Sequence, residues 1–333
     1  MVPTPQTDDP DDLTRRARAS AAAGAWTEVL DLLGALSPAA APSELALLRA
    51  EALTRVGAVR EAREWLHELI PVVRARGPAS HRRALNLLGA ACFFLGELDE
   101  ASDAFTMALE MASETDDLLI LARATNNLGM IANLRGDHDT ALGHYRLAVP
   151  TYQRLGQRRG LAESFHNIAI TYRDIGALEE ADEYERRAID YAADGVAPRV
   201  AAMGRIGRAE IALRRGDPQF AKGTSERAAV ELARLHDPVN EADAHRLVAS
   251  ASATMGRIAE AEAAFERALA IARAGGHMLI EAETLRDRAR ALQAQGRSAD
   301  ARVDTDGAIV LFERLGATSE VDALRRLRSD GRE

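Results

Sequence analysis

A glycine followed five places later by alanine recurs along this chain at a constant interval of 40 residues. The pairs are Gly96 with Ala101, Gly136 with Ala141, Gly176 with Ala181, Gly216 with Ala221, Gly256 with Ala261 and Gly296 with Ala301. Upstream, Gly57 with Ala62 continues the series one residue short of the period, and Gly24 with Val29 is a degenerate copy. Seven residues before each glycine stands a small residue: Ala17, Ala50, Gly89, Gly129, Ala169, Ala209, Ala249 and Ala289. Seven residues after the second position of each pair stands an apolar one: Leu36, Leu69, Ala108, Ala148, Ala188, Ala228, Ala268 and Ala308. Eight copies in register are the mark of a chain built by stacking one small unit on the next.

The spacings give the content of that unit. Small residues seven and twelve apart mark faces where two helices approach closely, since a larger side chain would push the axes apart. Each glycine ends the first helix, because a left-handed C-terminal residue costs glycine little. Polar residues just after it, such as Asp99, Asp137 and Asp139, are expected to cap the second helix. Between units the breaks carry their own punctuation: Gly156 and Gly160, Asp194-Gly195, Asp237-Pro238, Gly275-Gly276. No alternating apolar run joined by an Asn-Gly turn appears. Aromatic residues are only 4% of the chain, so its core must be built from Ala, Leu, Ile and Val, residues that sit well in helices.

On these residues the chain resembles the tetratricopeptide repeats. That family's unit has small residues at positions 8, 20 and 27, a glycine near 15 and an aromatic at 24. Gly89, Gly96, Ala101, Phe105 and Ala108 match it in the third unit; Gly129, Gly136, Ala141, Tyr145 and Ala148 in the fourth; Ala249, Gly256, Ala261, Phe265 and Ala268 in the seventh. Units five, six and eight lack the aromatic at 24, and Tyr184 stands one place early. The 40-residue period is similar to the long-helix subclass of polarity scaffolds, kinesin light chains and bacterial peptide sensors. The resemblance implies an all-α fold, a right-handed superhelical solenoid of about eight stacked helical hairpins with a C-terminal capping helix. The units fall near 9–40, 42–78, 80–116, 118–156, 158–195, 197–236, 238–276 and 278–316. Residues 1–8 are expected to form an unordered tail. Residues 317–333 hold the capping helix, with Val321, Leu324 and Leu327 inward and Arg325, Arg326 and Arg328 on a solvated face. Pro71 and Pro150 each predict a bend within a second helix.

A formal charge of −9 speaks against a general nucleic-acid or anionic-membrane binder. No stretch is long and apolar enough to span a bilayer, and the acidic start does not read as a secretory leader, so a cytoplasmic address is expected. Cys92 is the single cysteine and is expected in the core. Catalytic signatures are absent. There is no phosphate-cradling Gly-rich loop and no Gly-x-Ser-x-Gly elbow. His67-Glu68 begins like a zinc helix, but Pro71 occupies the second histidine position. His138 and His144 are six apart and do not share a helix face. No catalytic residue, metal or cofactor is assigned.

The resemblance also implies which residues face a ligand, because the first helix of each unit lines the concave groove. Carried onto this chain, those positions hold Arg83, Asn86, Phe93 and Phe94 in unit three, and Arg123, Asn126, Asn127, Met130 and Asn133 in unit four. Unit five supplies Glu163, His166, Asn167, Ile170 and Arg173; unit six Ile206, Glu210 and Leu213; unit seven Asp243 and Arg246; unit eight Glu283, Arg286 and Arg290. Asn127 and Asn167 share the position whose amide holds a peptide backbone in the long-repeat subclass; the alternative is that they satisfy inter-helix hydrogen bonds. The arginines could pair with carboxylates and the two phenylalanines could anchor an apolar side chain. The partner expected is therefore a protein or an extended peptide segment bearing carboxylates, with end-to-end stacking as a route to homo-oligomers. A bacterial signalling regulator that changes shape on binding a small peptide or metabolite is the alternative. A helical-repeat enzyme using His166, Glu163 and Arg173 is a third.

Overall fold

In a computed structural model the described residues run from 10 to 330, and among them every regular element is a helix. The residues expected to form the N-terminal tail, 1–8, lie outside them. The helices pair as eight hairpins: α1 (Pro10–Ala22) with α2 (Trp26–Leu33), α3 (Ser43–Arg55) with α4 (Val59–Arg76), α5 (Pro78–Leu95) with α6 (Leu98–Glu114), and α7 (Leu118–Leu134) with α8 (His138–Arg154). Then come α9 (Arg158–Asp174) with α10 (Leu178–Ala192), α11 (Pro198–Arg214) with α12 (Pro218–Arg234), α13 (Pro238–Thr254) with α14 (Ile258–Gly275), and α15 (Met278–Ala294) with α16 (Ser298–Arg314). A last helix, α17 (Thr318–Asp330), closes the stack by burying Val321 and Leu324. The all-α solenoid read from the repeat is the fold. Each helix packs on its hairpin partner and on the helices of the neighbouring hairpin.

The repeated small residues are buried where the axes come close. Ala50, Ala62, Ala101, Ala108, Ala141, Ala148, Ala209, Ala221 and Ala228 are all inaccessible to solvent. The aromatic at position 24 explains why two units use glycine at position 8. A Cβ on Gly89 would lie 2.6 Å from the Phe105 ring, and one on Gly129 would lie 2.6 Å from the Tyr145 ring. The ring of each second helix thus sits flat on the backbone of its own first helix, and both rings are buried. In the fifth hairpin, which lacks that ring, Phe165 packs against Tyr184 and Tyr191 at centroid distances of 5.9 and 5.4 Å.

Every turn glycine of the repeat, from Gly24 through Gly296, takes a positive φ. Capping is more selective than expected. Asp137 caps α8 by accepting from the Thr140 amide at 3.1 Å, and Asp117, Asp217 and Asp237 do the same for α7, α12 and α13. Asp99 and Asp139 are corrections: each is the second residue of its helix, α6 and α8, where it does not act as the N-cap but its charge still favours the helix N-terminus. Helices α4 and α8 run on through Pro71 and Pro150 as single helices. On α17, Arg325, Arg326 and Arg328 are exposed as expected, and Arg325 pairs with Glu313 at 2.5 Å and Arg328 with Asp306 at 2.9 Å on that face. The Leu327 side chain lies outside those described.

The superhelix closes on itself, which the repeat does not announce. The glycine turn of the second hairpin rests on the start of the seventh: a Cβ on Gly57 would come within 3.1 Å of the Pro238 ring. The turn of the third meets the eighth, where a Cβ on Gly96 would lie 2.6 Å from Leu315 and 3.3 Å from the Met278 sulfur. The turn of the fourth meets the cap, with Ser319 3.3 Å from the corresponding point at Gly136. Leu134 joins the C-terminal apolar cluster of Leu315, Val321 and Leu324 across the same line. Arg199 adds a hydrogen bond to the carbonyl of Arg55 at 3.4 Å. A constant offset of five units produces one seam along the superhelix.

Candidate functional site

Inside the seam lies a cavity of about 330 Å³. Its walls come mainly from the first helices of hairpins two to seven, with Val59, Phe105 and Tyr152 added from second helices. Arg83, Asn86, Phe93, Phe94, Arg123, Asn126, Asn127, His166 and Asn167 all line it. Met130 and Glu163 do so as well. The repeat positions carried over from the groove pattern therefore converge on one space in hairpins three to five.

The asparagines form rungs between neighbouring hairpins. Asn127 donates to Asn86 at 3.5 Å, and Asn167 donates to Asn126 at 3.4 Å. Asn126 also accepts from the Ser164 hydroxyl at 2.9 Å. An amide has two donor hydrogens and two acceptor lone pairs, so each rung leaves Asn127 and Asn167 a carbonyl and an N–H unspent on the cavity wall. The next rung would pair His166 with position 207, which is glycine. Glu185 reaches from α10 into the vacated space, where a Cβ on Gly207 would lie 1.9 Å from its carboxylate. Both Glu185 oxygens sit 3.0 Å from His166 Nδ1. Burial raises the Glu185 pKa, against the opposing pull of His166 and Arg173.

The apolar part of the wall is Leu87, Ala90, Phe93, Phe94 and Met130. The two phenylalanine rings meet edge to face at 5.9 Å, and Phe94 is 37% exposed. The charged part is basic. Arg55, Arg83, Arg123, Arg159 and Arg199 line the cavity against Glu51, Glu163 and Asp237. Glu51 is shared by Arg83 at 3.2 Å and Arg55 at 3.9 Å, Glu163 is held by Arg159 at 2.9 Å, and Asp237 by Arg199 at 3.0 Å. Burial resists ionisation of Glu163, but the guanidiniums of Arg159, Arg55 and Arg123 keep its pKa below the ordinary value.

Of the groove pattern, Asn133, Arg173, Glu210 and Arg246 stand apart from the cavity, as do Ile170, Ile206, Leu213, Asp243, Glu283, Arg286 and Arg290. Asn133 donates to Asp174 at 3.0 Å and meets His138 at 3.1 Å. Arg173, Glu210 and Arg246 belong to a ladder of ion pairs buried between hairpins five and eight. Arg173 and Arg246 both bond Glu210, at 2.8 and 3.1 Å, and Arg246 continues to Asp287 at 2.5 Å. Arg286 extends the ladder to Asp287 and to Glu320 of the cap, at 2.9 and 3.1 Å. Burial opposes a charge on Glu210, yet Arg173, Arg246 and Arg214 hold it well below the usual carboxylate range. These side chains are consumed in joining units, which leaves them little to offer a ligand.

Cys92, Glu97 and Glu100 bring potential ligand atoms within 4.8 Å of one another at the turn of the third hairpin. The carboxylates are already engaged, Glu97 by Arg63 and Glu100 by His67 at 3.1 Å. Burial and the two carboxylates push the Cys92 thiol up to about 12, so it is a protonated core side chain. No helix among the described residues is long and apolar enough to cross a membrane.

The repeat pattern misses Glu51, Arg55, Arg159, Arg199 and the start of α13, Pro238–Asn240, all of which line the cavity. They lie at the ends of first helices or in hairpins far apart in sequence. Only the closed seam brings them to the same space.

The model of the tetratricopeptide repeat matches residues 43–114 and 120–194, and a second model of the same description matches 242–274. No curated protein sequence matches the chain. Among solved structures, the chain is similar to a Rap protein complexed with competence and sporulation factor, at 14% identity and a TM-score of 0.63, covering 96% of both chains. It is similar to the Rap conjugation gene regulator of the plasmid pLS20 in complex with the Phr* peptide, at 13% identity and 0.70, over 84% of this chain and 76% of that one. It is also similar to NprR in complex with its cognate peptide NprX, at 16% identity and 0.61, over 96% and 97%. Identities this low speak to fold alone. Together with the repeat register and the eight hairpins, the model matches place this chain in the tetratricopeptide repeat family.

Proposed function

We propose that this chain is a non-enzymatic peptide-binding protein whose inner cavity takes an extended, carboxylate-bearing peptide. The observation that carries the reading is the composition of one wall of the inner cavity. Asn127 and Asn167 offer unspent amide groups to a peptide backbone, Phe93 and Phe94 offer an apolar anchor, and the arginines offer charge. The side chains are already held by rungs and ion pairs, so little ordering entropy is lost on binding. The Rap conjugation gene regulator and NprR structures it is similar to are complexes with peptides, which agrees with this use of the fold.

The seam favours the regulator over the open scaffold. A cavity of about 330 Å³ stands at the small end of ligand pockets, roughly 300–1,000 Å³, and its walls come from both sides of the closure. A short free peptide fits such a space better than a segment inside a longer partner. In this reading the chain works in the bacterial cytoplasm, without nucleic acid, membrane or cofactor. Affinity selection from a pool of synthetic pentapeptides, read by mass spectrometry, tests it. Retention of a defined subset by the wild type, and its loss on Asn127→Ala with Asn167→Ala, is expected. Retention of the same subset by the double variant would remove the groove assignment.

A further inference from the structure

His277 is 3% exposed, and neither nitrogen of its imidazole has a hydrogen-bond partner. Buried polar groups left without a partner are costly and uncommon. The residue stands at the N-cap of α15, yet its side chain makes no cap bond. Instead the ring folds back on the end of α14, where a Cβ on Gly275 would overlap it. Its Cε1 edge faces across the seam. A Cβ on Gly57 would lie 3.1 Å from the Pro238 ring and 3.8 Å from His277 Cε1. One imidazole thus fills the junction where the turn of the second hairpin meets the seventh and eighth.

The charged groups around this ring offer little to an imidazolium. Asp237, at the head of α13, is bound by Arg199 at 3.0 Å and by the backbone and side-chain N–H groups of Asn240 at 3.2 and 2.8 Å. Glu241 of the same helix lies 3.9 Å from His245. On α14 and α15, Arg273 and Glu281 hold each other at 2.7 Å. From α4, across the seam, comes a further cation: Arg60 Nη2 would lie 4.0 Å from a Cβ on Gly276. Helices α13 and α15 both begin at this junction, and their N-termini add partial positive charge. Burial lowers the His277 pKa below its ordinary value, and the Asp237 carboxylate offsets part of that.

We infer that His277 is a proton-sensitive latch on the seam. Neutral, its ring packs the junction and keeps the second hairpin against the seventh. Protonated, it must gain water. Water reaches it at least cost across the seam, where turns and helix ends meet, because the ring's other contacts lie within the stack. The closed state binds fewer protons than the open one, so acid favours opening, and the effect sets in as pH falls below the open-state value near 6.5. Gly57, Asp237 and Pro238 also line the cavity, so parting the two hairpins moves one edge of its wall. Opening needs no ligand, so it stands or falls apart from the peptide reading.

The test places spin labels on the full chain at two exposed positions across the seam, Glu61→Cys on α4 and Ala274→Cys on α14. Cys92 is fully buried and stays unlabelled. A second pair, Glu61→Cys with Asp103→Cys on α6, lies within neighbouring hairpins on one side of the seam. Between pH 7.5 and pH 5.5 the ratio of long to short distances for the first pair is expected to rise about tenfold, reversibly, the limit for a ring that titrates near 6.5 when open and stays neutral when closed. The second pair is expected to keep its distance. His277→Leu loses no hydrogen bond and is expected to hold the short distance at both pH values. His277→Gln, also uncharged, is expected to do the same and serves if leucine disturbs the turn. A wild-type seam distance that ignores pH would overturn the latch. The same acid lengthening in the His277 variants would place the titrating group elsewhere and overturn it too. Lengthening of the second pair together with the first would show the whole stack loosening and would equally overturn it.

Discussion

Asn167 donates a hydrogen bond to Asn126 across 3.4 Å, joining two helices whose paired residues are 41 apart in sequence. The same step joins Asn127 to Asn86 and Arg246 to Asp287. A residue about two turns into the first helix thus bonds the following repeat position in the next hairpin, and the stack is stitched along its inner face. Asn126→Ala would leave Asn167 and the buried Ser164 hydroxyl without their acceptor. The expected cost is about 1–3 kcal/mol, read as a lower urea midpoint. Asn127→Ala, at a longer and more exposed rung, should cost less.

Gly207 is a position where a single methyl group has nowhere to go. Its Cβ would occupy the Glu185 carboxylate, which is fully enclosed and paired with His166. Gly207→Ala is expected to destabilise by about 3–5 kcal/mol, the cost of breaking a buried ionic contact. Gly223, on the same pair of helices but with only the Arg227 tip at 3.7 Å, should respond with the opposite sign. There alanine favours the helix by up to about 1 kcal/mol. Thermal melts of the two variants check the pair.

Gly96 and Gly176 share a left-handed turn, with φ of 77° and 84°. Alanine at either carries the same backbone strain, about 1–2 kcal/mol. Only Gly96 also touches the seam, where the methyl group would meet Leu315; at Gly176 the space is open. Gly96→Ala is therefore expected to destabilise more and to enlarge the radius of gyration in small-angle scattering. Gly176→Ala should leave the dimensions unchanged.

Glu283 faces the ladder with Arg246 at 4.0 Å as its nearest cation. Burial raises its pKa to about 7, against the pull of Arg246 and Arg286, while Asp243 and Glu210 add to the rise. A folded-state value above the unfolded one near 4.5 means stability that is full below that lower value and lost as pH rises through 7. Glu283→Gln keeps the shape and removes the ionisation. At pH 8 it should be more stable than the wild type by on the order of 1–3 kcal/mol, with the gap narrowing at pH 5. Urea midpoints at the two pH values decide it.

The register of Gly and Ala made the hairpins and their stacking legible, because close helix contact leaves a periodic trace of small residues. The same register located the cavity wall in hairpins three to five, since Asn86, Asn127, His166 and Asn167 occupy repeated positions of the first helix. It could not separate Arg123, which faces the cavity, from Arg173 and Arg246, which are spent between units. That difference depends on which carboxylates the neighbouring hairpins supply. The seam was illegible for a different reason. Gly57 and Pro238 meet through the rotation accumulated over five steps of the stack, and no local spacing records that rotation.

The central claim is that the cavity bordered by the seam is where a peptide binds. Ala90 lines that space on α5, and Ala90→Trp would fill part of it from the wall. Titration of a selected pentapeptide into this variant and into Leu147→Glu, an exposed position on α8 that does not line the cavity, tests the claim directly. The account predicts at least about a tenfold loss of affinity for Ala90→Trp and wild-type binding for Leu147→Glu. Equal affinity in all three proteins would place the peptide elsewhere and contradict it.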